Sequence, residues 1–220
     1  MRVDSEGGPV RRMARGARRL WGTGAYVVAL VVTACWLAGQ PAAERARFVR
    51  HNSSNVHHID VGKWWTLFTS GLVVDGVPVV VGIGAVAAVL GCAEWRWGTA
   101  RALGVFLYGH LAATLLTEGT LWVAHATRVL HVPTRARDVG ISYGLVTTGA
   151  CLLALAGGRL RRHALPLLAV ALAVACAVDQ ALADAGHLIS VGLGVLAAGT
   201  PWLRDRAAAH SGRVAAPRWR

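Results

Sequence analysis

Six stretches of this chain run for 17 to 25 residues almost without charge, and no other feature narrows its fold so far. An α-helix needs about 20 apolar residues to cross the hydrocarbon of a bilayer, where no water is present to satisfy an open backbone. The runs fall at residues 22–40, 77–93, 102–126, 139–158, 164–182 and 185–203, and only Glu118 and Asp179 interrupt them with charge. Each is too long for a strand and lacks the polar alternation of a lipid-facing barrel. They predict an all-α polytopic membrane protein, a bundle of six transmembrane helices.

Composition agrees. The chain is 55% hydrophobic and 15% charged, and the charges gather in the tails and connections instead of spreading along helix faces. Nine Trp suit headgroup interfaces, and 26 Gly suit close helix approach in lipid. The net charge of +12 would suggest nucleic acid in a chain without these runs. Here it reads as topology and contact with anionic lipids at the basic tails, with no nucleic-acid partner. Cys35, Cys92, Cys151 and Cys176 all lie inside apolar stretches, as small hydrophobes rather than disulfide partners. The run 22–40 ends in Gln40-Pro41-Ala42 and not in a small-x-small cleavage site, so it reads as a retained first helix.

Orientation follows from the positive-inside rule. If the N-terminus is cytoplasmic, 16 Lys and Arg fall on the cytoplasmic side and 7 on the other. The expected organisation is a basic cytoplasmic tail over 1–21, a multi-pass domain over 22–203 in the cell membrane, and a second basic cytoplasmic tail over 204–220. The Arg-, Ala- and Val-rich composition with its single Lys suits a high-GC bacterium.

The first external connection, residues 41–76, joins a polar stretch, Arg50 to His58, to the apolar Trp64-Trp65-Thr66-Leu67-Phe68. Its second half reads as an interfacial element anchored by the Trp pair. His51, His57 and His58 have no carboxylate or cysteine at ligand spacing, so a polar loop is favoured over a metal site. Asn52-Ser53-Ser54 matches a glycan acceptor formally, which a bacterial chain has little use for.

Polar residues within the apolar runs are costly there and so carry the most information. Ser142 lies four residues past Asp138 and His187 three past Asp184, each at the external end of its run. At about 1.5 Å of rise per residue both sit at one depth. A histidine within reach can take a serine's proton, and glycines beside Ser142 can leave backbone amides for an oxyanion, which suits acyl transfer. The same residues also fit plain packing. A membrane serine commonly bonds its own i−4 carbonyl, and Gly140, Gly144, Gly194 and Ala198 form small-residue faces. Spacing alone leaves both readings open.

The order of motifs resembles that of the rhomboid intramembrane serine proteases. Trp65-Thr66-Leu67-Phe68-Thr69-Ser70 is similar to the segment leading that family's second helix. Glu94-Trp95-Arg96-Trp97-Gly98-Thr99-Ala100-Arg101 resembles its Glu-x-x-x-Gly-x-x-Arg turn. Gly140-Ile141-Ser142, then Gly186-His187 and Gly194, resemble its catalytic pair. The resemblance spans residues 60 to 200 and implies a rhomboid-like bundle with an interfacial first external loop. It implies Ser142 as nucleophile and His187 as general base, with Gly140 and Tyr143 giving backbone support to the oxyanion. It further implies Glu94, Gly98 and Arg101 as a structural turn, no metal and no cofactor. The activity implied is serine-type intramembrane endopeptidase, acting on a transmembrane protein substrate. The second reading is a catalytically inactive rhomboid-like protein that binds transmembrane helices as adaptor or chaperone.

Three departures from the family pattern bear on activity. Bulky Tyr143 stands where a small residue usually follows the serine. Residues 75–82 lack the His-x-x-x-Asn motif, and the fifth run lacks the tyrosine that packs on the base. Loss of one oxyanion donor costs roughly 10²- to 10³-fold in rate. His110 reads as a buried polar residue bonded to a neighbouring helix, and Glu118 with His125 as a packing pair or the lining of a small polar cavity.

Overall fold

The computed structural model describes residues 19–75, 77–127, 141–179 and 182–210, and every regular element among them is helical. The order is α1 (Trp21–Ala38), α2 (Ala42–His51), α3 (Val56–Asp60) and α4 (Thr66–Thr69), which tightens into a 3₁₀ turn, Ser70–Leu72. Then follow α5 (Val79–Trp97), α6 (Thr99–Ala126), α7 (Ser142–Leu155), α8 (Gly158–Asp179), α9 (Leu182–Ala198) and α10 (Pro201–His210). Segments within α1, α5, α6 and α8 are long and apolar enough to cross a membrane, while α7 and much of α9 are apolar but shorter.

The helix limits follow local chemistry. Pro78, which has no N–H to donate, precedes α5, and Gly98 ends it with a φ of 85°, so the chain reverses directly into α6. The second expected run stopped at 93, yet α5 continues through the charged Glu94 and Arg96. It can do so because the α1 N-terminus accommodates the Glu94 carboxylate. Gly22 N–H donates to it at 3.0 Å, Thr23 N–H at 2.7 Å and the Thr23 hydroxyl at 2.6 Å. A carboxylate at the positive end of a helix is stabilised by about 0.3–1 kcal/mol and replaces missing intrahelical acceptors.

The last expected run, 185–203, divides in two. α9 ends at Ala198 and α10 starts at Pro201, turning Leu203 back into the core beside Trp97. Arg101 Nε donates to the Trp202 carbonyl at 3.0 Å, and its guanidinium lies over the Trp202 ring at 5.4 Å. The segment expected as a tail beyond 203 therefore begins helical, from 204 to His210.

α7 is the centre of the bundle, packed most extensively against α9 and next against α6. Leu30, Val86, Leu90, Trp97, Phe106 and Ile141 build the main core around it. α8 lies outside, against α7 and α9, and its apolar length is left uncovered by protein. That is the pattern expected of a helix solvated by hydrocarbon, which does not penalise exposed Leu and Val.

The connection 41–76 is more ordered than a polar loop would be. Asn52, Ser53, Ser54 and Asn55 are buried. Asn52 donates to the Phe48 carbonyl at 2.9 Å, Asn55 caps α3 by accepting from His58 N–H at 3.0 Å, and His58 Nδ1 lies 2.7 Å from the Ser53 carbonyl. Trp64, Trp65 and Phe68 face outward, while Thr66, Leu67, Ser70 and Gly71 face the bundle, so this segment is amphipathic.

Candidate active site

Close contact between α7 and α9 sets the geometry around Ser142 and His187. A Cβ at Gly194 would stand 2.8 Å from Ala150 Cβ and 3.0 Å from the Cys151 nitrogen, and one at Gly144 would stand 2.8 Å from the Phe106 carbonyl. Both glycines thus let backbones approach where any side chain would collide. The Thr147 hydroxyl donates to the Ser190 carbonyl at 3.1 Å, tying α7 to α9. Ser190 itself donates to the Gly186 carbonyl at 2.8 Å, one turn back on its own helix.

Ser142 is the first residue of α7 and is half-buried, and His187 is half-buried on α9. Ile141, at the N-cap of α7, offers no side-chain cap. First-turn amides of a helix lack intrahelical acceptors, and such amides suit a developing negative charge. No hydrogen bond joins Ser142 to His187 among the described residues. The aromatic neighbour of His187 is Tyr143, with ring centroids 5.3 Å apart and planes at 72°. Tyr143 is buried, and its phenol occupies the space that a side chain at Gly186 would need. Gly140 and Asp138 lie outside the described residues, and so do the side chains of Asp184, Asp179 and His125.

The fifth run, 164–182, carries no tyrosine. The structure supplies a ring beside the histidine from the residue after Ser142. The available signal was Gly186, because a glycine just before a histidine on a membrane helix leaves a seat for a large neighbour.

The remaining polar residues lie apart from this pair. Glu94 and Arg101 do not pair with one another. Glu94 holds the start of α1 and the Thr99 hydroxyl, and Arg101 holds α10. His110, expected to bond a neighbouring helix, bonds the short helix α4 of the connection. Its Nε2 lies 2.9 Å from the Leu67 carbonyl and 3.3 Å from Ser70 Oγ, which receives a bond from Ser54 Oγ at 2.8 Å. Glu118 is buried and lines a cavity of about 210 Å³ with Asp60, Trp64 and Trp122. No group of three or more His, Cys, Asp or Glu that could hold a metal occurs among the described residues.

Apolar helices of membrane length, glycine-seated contacts and polar side chains turned toward the interior define a helical membrane protein. The sequence pattern of the family described as rhomboid-like protein matches residues 16–209, and the chain belongs to that family. No curated protein and no solved structure matches it.

Proposed function

We propose that this protein is a multi-pass intramembrane serine protease of rhomboid type, cleaving membrane protein segments through Ser142 and His187. The observation that carries the proposal is the position of Ser142 at the start of α7, a helix locked by Gly144 and Gly194 between α6 and the helix that bears His187. At about 1.5 Å per residue, the 14 residues of α7 measure about 21 Å against about 30 Å of hydrocarbon. A serine at the end of so short a helix lies below the membrane face.

In this reading the Ser142 hydroxyl rotates toward His187, gives it a proton and attacks the substrate carbonyl carbon. The α7 first-turn amides, Tyr143 N–H included, hold the oxyanion. The protonated His187 then gives its proton to the leaving amine, and water later hydrolyses the acyl-enzyme. Edge-on packing of Tyr143 fixes the plane of the imidazole.

The two basic tails would lie in the cytoplasm against anionic lipids. The substrate would be a transmembrane or membrane-proximal segment that unwinds easily, because buried catalysis needs an open backbone. The test is labelling of the purified protein with a fluorophosphonate serine-hydrolase probe, compared with Ser142→Ala and His187→Ala. Labelling of the native protein alone is expected. None above the Ser142→Ala background, in a detergent where a known rhomboid protease reacts, overturns the proposal.

A second reading rests on the bulk of Tyr143 between the helices that bear Ser142 and His187. In it the same surface binds transmembrane helices without cutting them, as adaptor or chaperone.

A further inference from the structure

α7 runs antiparallel to α6, because Tyr143 packs on Ala113 while Gly109 lies against Thr147. It therefore ends, and α8 begins, beside the start of α6, at the end of the bundle where Glu94 holds α1. The first residues of α8 bring Arg159, Arg161, Arg162 and His163 together, all four exposed. Among the described residues no ion pair or side-chain hydrogen bond reaches the three arginines. The acids at this end do not offset them. Glu94 is spent on α1 and Thr99, and Asp205 of α10 pairs with none of them.

Beyond these residues α8 has no protein cover. None of its residues from Gly158 to Ala177 is buried, and Leu160, Leu167, Val170 and Val174 are 54% to 70% exposed. At their spacing those four form a single stripe along the helix. His163 falls on the same stripe, three residues past Leu160 and four before Leu167, and Arg159 and Arg162 flank it. The 22 residues of α8 measure about 33 Å, so the cations stand at one end of an apolar face as long as the hydrocarbon is thick. A soluble anion would meet the arginines and leave that face bare. A second copy of the chain, inserted the same way up, would bring like clusters together at α8. An amphiphile with phosphate at its head and acyl chains behind it meets both requirements.

We propose that the start of α8 and the stripe behind it form a site for a phospholipid with two phosphate groups, such as diphosphatidylglycerol. A guanidinium holds a phosphate bidentately. One phosphodiester leaves most of the three arginine charges uncompensated, whereas two linked phosphates serve Arg159 and Arg162 on the two flanks of the stripe. The acyl chains lie along Leu160, Leu167 and Val174.

The experiment titrates the delipidated full-length protein with diphosphatidylglycerol or phosphatidylglycerol and reads bound lipid by native mass spectrometry. Diphosphatidylglycerol is expected to bind about fivefold tighter, the gain from engaging one further arginine near the membrane surface. Arg159→Gln and Arg162→Gln are each expected to lose about fivefold in its affinity. Arg45→Gln, which removes an exposed cation on α2 at the other end of the bundle, is expected to change nothing. Both tails stay intact in every variant, so their contribution is common to all. A diphosphatidylglycerol carrying a diazirine in one chain, in phosphatidylcholine nanodiscs, is expected to cross-link within 160–174. Equal affinity for the two lipids overturns the proposal, and so does an equal loss in Arg45→Gln, which would make the attraction general. Cross-links spread evenly over α1, α5, α6 and α8 reduce the lipid to bulk solvent and overturn it as well. Displacement by equimolar inorganic pyrophosphate makes the ligand a free anion, with the same consequence. The serine-probe result leaves these outcomes unaffected, so the two proposals fail separately.

Discussion

Gly192 and Gly194 lie two residues apart on α9 and meet opposite surroundings. A methyl group at Gly194 would press on the Thr147 carbonyl and on Ala150, whereas one at Gly192 would meet nothing within 4 Å. Gly194→Ala is expected to cost about 1–3 kcal/mol through overpacking. Gly192→Ala is expected to be neutral or to gain about 0.5–1 kcal/mol from helix propensity. Thermal unfolding of the two variants in detergent checks this, and equal midpoints would show that α7 and α9 are not held at this distance. Both glycines look alike in the sequence, and only the facing backbone distinguishes them. Tyr143 makes the same point. As a sequence feature it was a departure from a family pattern, but in the fold it is the ring that packs edge-on against His187.

The connection between α1 and α5 is the element whose character changed most. Read from residues, it was a polar stretch followed by an interfacial one. Folded, its Asn and Ser side chains are buried and used up in local bonds, and its outward face is Trp64, Trp65 and Phe68. Burial holds the pKa of His58 below the ordinary value of about 6.5, although the bond to the Ser53 carbonyl acts the other way; Lys63, His57 and His51 add to the lowering. A base whose folded pKa is lowered favours folding when neutral. Its contribution is complete above the unfolded value and is lost as pH falls through the folded one. Hydrogen exchange across 52–60, corrected for the intrinsic rate, should therefore speed up between pH 7.5 and pH 5. Protection that does not change over that range would show that His58 does not hold the segment.

At the scale of the whole molecule, two distant ties close the cytoplasmic end as it is proposed here. Glu94 grips the start of α1 from the end of α5, and Arg101 grips α10 from the start of α6. The charge asymmetry of 16 against 7 Lys and Arg would place both termini on that side. A C-terminal green fluorescent protein fusion should then fluoresce and a C-terminal alkaline phosphatase fusion should be inactive. The reverse pattern would invert the proposed topology.

The sequence by itself determined the helices and the family. In hydrocarbon each backbone group must be satisfied within its own segment, so a long uncharged run is already a helix, although its limits needed partners: α5 runs on through Glu94, and the last run divides after Ala198. Ordered motifs along those runs carried the resemblance. Only the tertiary structure decided which side chains meet: Tyr143 beside His187, Glu94 on α1, and His110 on Leu67 with one nitrogen left over. These contacts depend on how apolar helices rotate and how closely their glycines let them approach. Lipid-facing Leu and Val leave that rotation almost free, and steric fit between residues far apart in the chain sets it.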